Sequence, residues 1–199
     1  MLKRGYAARR LPPRSTSPAA EPAAAAAVSV RPLPAAARFS LRFDPAAAQT
    51  LGTIAGFSLE VPINRCAVSG GRIAARLGPN EWMLLVLEYD EEAIAAKIDA
   101  ALAGRFYALV DIGHGTAAFE VSGCRAPDVL NSGCPLDLAP KSFPAGSATR
   151  TLLGKAEIIL MRFDDAPVYR VECWRSYAQY VHEFLLEAAR EFEPPPDGR

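Results

Sequence analysis

Asp111 and His114, separated by Ile112 and Gly113, are the side chains of this sequence best suited to moving a proton. An imidazole held by a carboxylate can act as a general base. The same spacing across a Gly113-His114-Gly115 turn also lets an Asp side chain cap its own turn. With no third group to accompany the pair, the structural role is the one expected. His182, the other histidine, falls one position off the apolar stripe of the last helix and reads as a flank residue. Nucleophilic catalysis needs a Ser or Cys with a base held close, and the chain has no G-x-S-x-G elbow. Gly70-Gly71 and Gly146-Ser147 lack the frame of a phosphate or dinucleotide loop. Lys155, after Gly154, reads as a strand-edge residue. The cysteines Cys66, Cys124, Cys134 and Cys173 have no C-x-x-C spacing, so no metal site is expected. They read as the reduced thiols of a cytoplasmic protein.

The elements that must position these residues follow from periodicity. Tyr107 to Ile112 is an apolar run, and Ala117, Phe119 and Val121 alternate with Thr116, Ala118 and Glu120 beyond the glycine turn. This predicts a hairpin with one buried face. Ser122-Gly123 leads into a short helix with Pro127 in its first turn and Gly133 at its end. Upstream, Phe39 to Phe43 alternates as a strand. Asp44-Pro45 is a helix start whose apolar face, Leu51 and Ile54, closes at Gly56. Phe57 to Ile63 and Arg72 to Leu77 read as strands, and Trp82 to Leu87 as a strand buried on both faces.

A helix capped by Asp90 carries Ile94, Ile98 and Leu102 and stops at Gly104. Val168 to Trp174 is a strand followed by a helix started by a Ser176-x-x-Gln179 capping box. Tyr177, Tyr180, Val181, Phe184, Leu185 and Ala188 form its apolar stripe. Buried strand, polar turn and amphipathic helix thus occur twice, at 81–103 and 167–192, each preceded by a strand at 72–77 or 155–163. The fold class is α+β, with duplicated strand–helix units and helices layered on antiparallel sheet.

Bulk composition sets limits on function. The 199 residues carry 22 basic and 22 acidic side chains, which gives no support to a nucleic-acid partner. No apolar run approaches the roughly 20 residues needed to span a bilayer, so no membrane partner is expected. Residues 1 to 37 are rich in Ala, Pro and Arg and are expected to be a disordered tail, with the domain at 38–192 and a frayed end at 193–199. The acid-poor start also has the composition of a mitochondrial presequence, but Pro12, Pro13 and Pro18 interrupt any amphipathic helix.

Seven segments carry a resemblance. Asp111-Ile112-Gly113-His114 followed by Val121-Ser122-Gly123-Cys124-Arg125-Ala126 resembles the D-x-S-H … S-G-x-x-A pattern of the glycine-cleavage T-protein superfamily. Gly133 to Leu138, Phe143 to Ser147, Arg150 to Gly154, Leu77 to Trp82 and Trp174 to Ala178 resemble, more specifically, the gamma subunit of heterotetrameric sarcosine oxidase. Gly113 stands where the superfamily usually has serine. The superfamily's paired Asp is missing from Leu153 to Ile159, and its pterin-holding Tyr-Thr-Gly-Glu turn does not occur. Glu157 is the acid left in that neighbourhood.

The resemblance implies a duplicated fold whose halves exchange strands. It also implies a non-catalytic chain in a complex that oxidatively demethylates sarcosine to glycine and passes the one-carbon unit to tetrahydrofolate. FAD, FMN, NAD and tetrahydrofolate would then be held by the alpha, beta and delta partners, and none by this chain. The alternative is a stand-alone folate-binding protein or aminomethyltransferase-like enzyme. For a scaffold the residues of interest are contact residues: Arg175 and Tyr177, beside Trp174, and Phe143 in the Pro-rich loop 139–144. The competing expectation for Trp174 and Tyr177 is that they are core residues flanking a helix cap.

Overall fold

The computed structural model describes residues 27–86 and 91–193. The chain opens on strand β1 (Ser29–Pro32) and strand β2 (Ala37–Phe43). Asp44 caps helix α1 (Pro45–Leu51), its carboxylate accepting the Ala46 N–H at 3.0 Å with Pro45 in the first turn. The helix stops at Gly52, whose φ of 64° favours glycine. Strands β3 (Thr53–Ile54) and β4 (Phe57–Ser58) then form a small hairpin. Strand β5 (Arg65–Ser69) turns through Gly70-Gly71 into β6 (Arg72–Gly78), followed by β7 (Glu81–Val86) and helix α2 (Glu91–Leu102).

The same path is then taken again. Strand β8 (Tyr107–Asp111) and a 3-10 turn at Gly113–Gly115 lead into β9 (Thr116–Ser122) and helix α3 (Ala126–Asn131). Strands β10 (Ser147–Leu153), β11 (Ala156–Arg162) and β12 (Val168–Trp174) follow, then a 3-10 turn at Arg175–Tyr177 and helix α4 (Ala178–Ala189).

Ten of these strands form one sheet in the order β1-β9-β12-β11-β10-β5-β6-β7-β2-β8, every paired neighbour antiparallel. The order is symmetric about the β10–β5 junction, and it reveals a reciprocal exchange. β1, which leads into the first half, pairs with β9 of the second half. β8, which leads into the second half, pairs with β2 of the first. The backbone repeats the detail: the Leu33 N–H donates to Ala118 O at 2.8 Å, and the Ile112 N–H to Arg38 O at 2.9 Å. The duplicated strand–helix units and the exchange of strands are both present.

Four expectations are corrected. Tyr107 to Ile112 and Thr116 to Val121 are not a hairpin, because Gly113–Gly115 carries the chain from one half of the sheet to the other. Alternation reports which face of a strand is buried and is silent on its partner. The first helix ends at Gly52, so Ile54 packs from a strand; Ala55 and Gly56, with φ of 46° and 82°, make the turn of the β3–β4 hairpin. Ser176 makes no capping hydrogen bond, since helix α4 begins after a 3-10 turn and Gln179 donates instead to Glu183. The boundary of the tail lies earlier than residue 37. Ser29–Pro32 is a strand and Ala36 and Ala37 are buried. The Asp90 cap and residues 1–26 lie outside the described residues.

Each half buries its helices on the outer face of its own strands. Phe39, Leu41, Trp82 and Leu84 meet Ile94, Ile98 and Leu102 in the first half. Val121, Leu160 and Val171 meet Val129, Leu130, Val181 and Leu185 in the second. Helix α4 approaches closely because two glycines leave room. A Cβ on Gly133 would stand 2.5 Å from the Phe184 ring, and the Tyr180 hydroxyl lies against Gly154 and accepts the Lys155 N–H. Alternate residues of the same strands point to the opposite, inner face, where Ala75, Met83, Ala148 and Met161 pack together.

Candidate functional site

The inner face carries the charged residues that the strands bury. The sheet curls so that β2 and β12, far apart in its order, meet there: Arg38 Nε donates to Glu172 Oε2 at 2.7 Å and Nη2 to Oε1 at 3.3 Å. Arg170, two residues back on the same strand face, donates through Nε to Glu172 Oε1 at 2.6 Å. Arg38 and Glu172 are each 1% exposed. Such a pair is costly to desolvate and costly to break, and here it ties one half of the duplication to the other.

A cavity of about 150 Å³ lies on the Glu172 side of this triad. Leu77, Met83, Ile112 and Ile159 give it apolar walls, and Trp174 borders it. Its mouth is ringed by charge: Arg150 Nη2 meets Glu81 Oε1 at 2.8 Å, Arg150 Nε lies 3.5 Å from Glu157, and Arg42 lies 3.2 Å from Glu81. The cavity is smaller than the roughly 300 Å³ at which small-molecule and cofactor sites begin. Glu157, the remaining acid of the pterin region, lies at this mouth beside Arg150.

The sequence's proton-transfer candidates are built into turns. Asp111 Oδ1 accepts the Gly113 N–H at 2.7 Å, and Arg175 Nε donates to the His114 carbonyl at 2.7 Å. Among the described residues no hydrogen bond joins the His114 ring to Asp111. The pair therefore shapes the crossover between halves, as the Asx-turn chemistry of Asp predicts. His182 stacks on Phe119 with ring centroids 5.2 Å apart. Lys155 is exposed, and its backbone N–H is the part that bonds.

The contact residues separate into two classes. Trp174 and Tyr177 are 49% and 42% exposed, and Arg175 lies between them on the surface, beside the His114 turn. The Trp174 ring rests beside Gly115, where an added Cβ would make an ordinary contact at 3.7 Å. Phe143 is a correction: at 5% exposure it is core, facing Tyr169 with ring centroids 6.3 Å apart. The cause is local. Asp137 accepts from the Ala139 N–H and the Ser142 hydroxyl, which holds its carboxyl below the usual range and folds the loop inward. Arg162 Nη1 then fixes the Phe143 carbonyl at 3.0 Å.

All four cysteines are free thiols. Burial pushes the Cys66 thiol up to about 11, against the opposing pull of Arg65. Burial likewise raises Cys173 to about 11, with Glu172 adding to the shift and Arg38 opposing it. Both are poor nucleophiles at neutral pH. Cys124 is exposed. Among the described residues no group of three His, Cys, Asp or Glu side chains could hold a metal ion, and no helix is long and apolar enough to cross a membrane.

Residues 41–191 match the model of the sarcosine oxidase, gamma subunit family. The chain belongs to that family. Two curated gamma subunits of sarcosine oxidase are similar over most of its length. The one from Corynebacterium sp. (strain P-1) is 30% identical over 88% of this chain and 81% of the relative. The one from Arthrobacter sp. is 28% identical over 88% and 87%. Among solved structures, a chain of the heterotetrameric sarcosine oxidase from Corynebacterium sp. U-96 in complex with pyrrole 2-carboxylate shares the fold. It has a TM-score of 0.76 at 24% identity, covering 88% of this chain and 90% of that one. The glycine cleavage system aminomethyltransferase T from Bartonella henselae gives 0.64 at 13% identity, covering 83% of this gamma-family chain and 49% of its own. The family's fold is thus that of T-protein, as the motifs implied.

What the motifs missed is the buried triad and the ring of charge at the cavity mouth. Arg170 and Glu172 stand at i and i+2 in an otherwise apolar strand, a pattern that ordinarily marks a solvent face. Only the curl of the sheet buries that face.

Proposed function

We propose that this gamma-family chain is a non-catalytic scaffold subunit, assembled in the cytoplasm with alpha, beta and delta subunits into a sarcosine oxidase. In this reading the complex demethylates sarcosine oxidatively to glycine, and FAD, FMN, NAD and tetrahydrofolate are held by the other subunits. One observation carries the reading. At the crossover between halves Asp111 accepts the Gly113 N–H, Arg175 donates to the His114 carbonyl, and among the described residues no hydrogen bond joins the His114 ring to Asp111, so the two are not held as an acid–base dyad. The residues left on the surface beside it are Trp174, Arg175 and Tyr177, types that dominate interface energetics.

Co-expression with the other three subunits tests this directly. Trp174→Ala combined with Tyr177→Ala is expected to reduce co-purification of the partners while the variant chain keeps its own melting midpoint. Recovery of a complete complex with unchanged stoichiometry would remove this face from the interface.

A further inference from the structure

A second cavity, of about 420 Å³, lies on the Arg170 side of the buried triad, between the β1–β2 linker and the start of β12. Its walls include Leu33, Ala36, Phe163 and Tyr169, and its charged residues are Arg31, Glu120 and Arg170. The charges do not balance. Arg31 binds Glu120 through both nitrogens, Nε and Nη2, at 2.8 Å each, so that carboxylate is already engaged. Arg38 and Arg170 then share the single carboxylate of Glu172, which leaves one buried positive charge in excess. Arg170 is 7% exposed, and its Nη2 is buried without a hydrogen-bond partner.

Arg162 shows how the same protein completes a buried guanidinium from within. Its Nε, Nη1 and Nη2 donate to the carbonyls of Asp164, Phe143 and Asp165. Arg170 has no such set, and a buried donor left open is unfavourable. A guanidinium that keeps an unsatisfied donor is matched by a carboxylate oxygen. The neighbouring volume falls within the roughly 300–1,000 Å³ of small-molecule sites, which are mostly apolar with few polar anchors.

We propose that this cavity binds a small organic carboxylate, its anionic head on Arg170 and its apolar body against Phe163 and Leu33. The full-length chain titrated with benzoate tests the proposal, with benzamide as an uncharged control of the same shape. Benzoate should raise the melting midpoint saturably. Benzamide should bind roughly tenfold or more weakly, the worth of one charged hydrogen-bonded contact. Arg170→Gln should abolish the benzoate response, and the fold should survive because Glu172 keeps Arg38 as its partner. Ala35→Trp leaves the triad intact and narrows the cavity mouth, so it decides the matter if Arg170→Gln does not fold; it too should abolish the response. Absence of a saturable response, or a response that either variant leaves intact, would overturn the site. So would an effect equalled by chloride at the same concentration, which would mean an adventitious ion only.

Discussion

The two halves of this chain follow one path and end with different surfaces. Each runs through a lead strand, a first strand, a short helix, three antiparallel strands and a closing helix, and each lends its lead strand to the other half. β1 lies under helix α4, with Val30 packed against the second core. β8 likewise packs Tyr107 and Leu109 against the first core, but it turns Val110 and the adjacent Phe106 to solvent, the latter 98% exposed. Topology therefore repeats in full and burial only in part. The difference shows that duplication conserves the hydrogen-bonded order of the sheet, while edges and inner faces are free to diverge. The buried Arg38–Glu172 pair has one partner in each half, so it belongs to neither repeat and holds the two together.

Removing Glu172 should hurt most. Glu172→Gln strands two buried guanidinium groups, and about 3–5 kcal/mol of stability should be lost in denaturant melts. Arg170→Gln, which leaves a balanced pair, should cost clearly less. Equal losses would mean that the triad does not act as one charged unit joining the halves.

Next in size is the helix-side core. Leu185→Ala, at a fully buried position, should cost about 2–5 kcal/mol. Phe184→Ala should cost less than the 3–5 kcal/mol typical of a fully buried ring, since Phe184 is only half-buried between Gly133 and Gly154. A larger loss for Phe184 than for Leu185 would move the centre of that core.

Truncation sharpens the comparison of the edges. Deleting residues 1–26 should leave the melting midpoint nearly unchanged, since an Ala-, Pro- and Arg-rich composition buries little. Deleting residues 1–34 removes β1 and should lower the midpoint by several degrees, roughly what a loss of 1–2 kcal/mol produces in a domain of this size. Identical midpoints would deny β1 its place as the counterpart of β8.

The thiols give a smaller, pH-dependent effect. Cys66 and Cys173 ionise at about 11 in the folded chain, above the ordinary thiol value of 9.0. Their burial contribution is therefore complete below pH 9 and fades as pH rises toward 11. At neutral pH iodoacetamide should label Cys124 first. Early labelling of Cys66 or Cys173 in folded protein would show that these positions open.

Periodicity in the sequence was enough to place β2, β6, β7, β12 and the apolar faces of α2 and α4, because those segments bury one face or both within a local pattern. It could not place partners. Tyr107 to Val121 looks like a hairpin because a glycine turn between two alternating runs is common to hairpins and crossovers alike. β1 escaped because Arg31 and Pro32 resemble the tail before them, and its burial comes from β9 and α4, both distant in sequence. Phe143 looked exposed because the hydrogen bonds that turn its loop inward depend on Asp137 and Arg162. The gamma-subunit family was legible in motifs. The buried triad was not, since only the curl of the sheet joins Arg38 to Glu172.

Steady-state turnover of the assembled oxidase carrying His114→Ala, normalised to bound flavin, tests the scaffold account most directly. With His114 contributing its backbone carbonyl to Arg175 and no more, turnover per assembled complex should stay close to that of the parent. A fall of about 10²-fold or more in an intact assembly is the signature of a lost proton-transfer group. It would make this chain part of the active site.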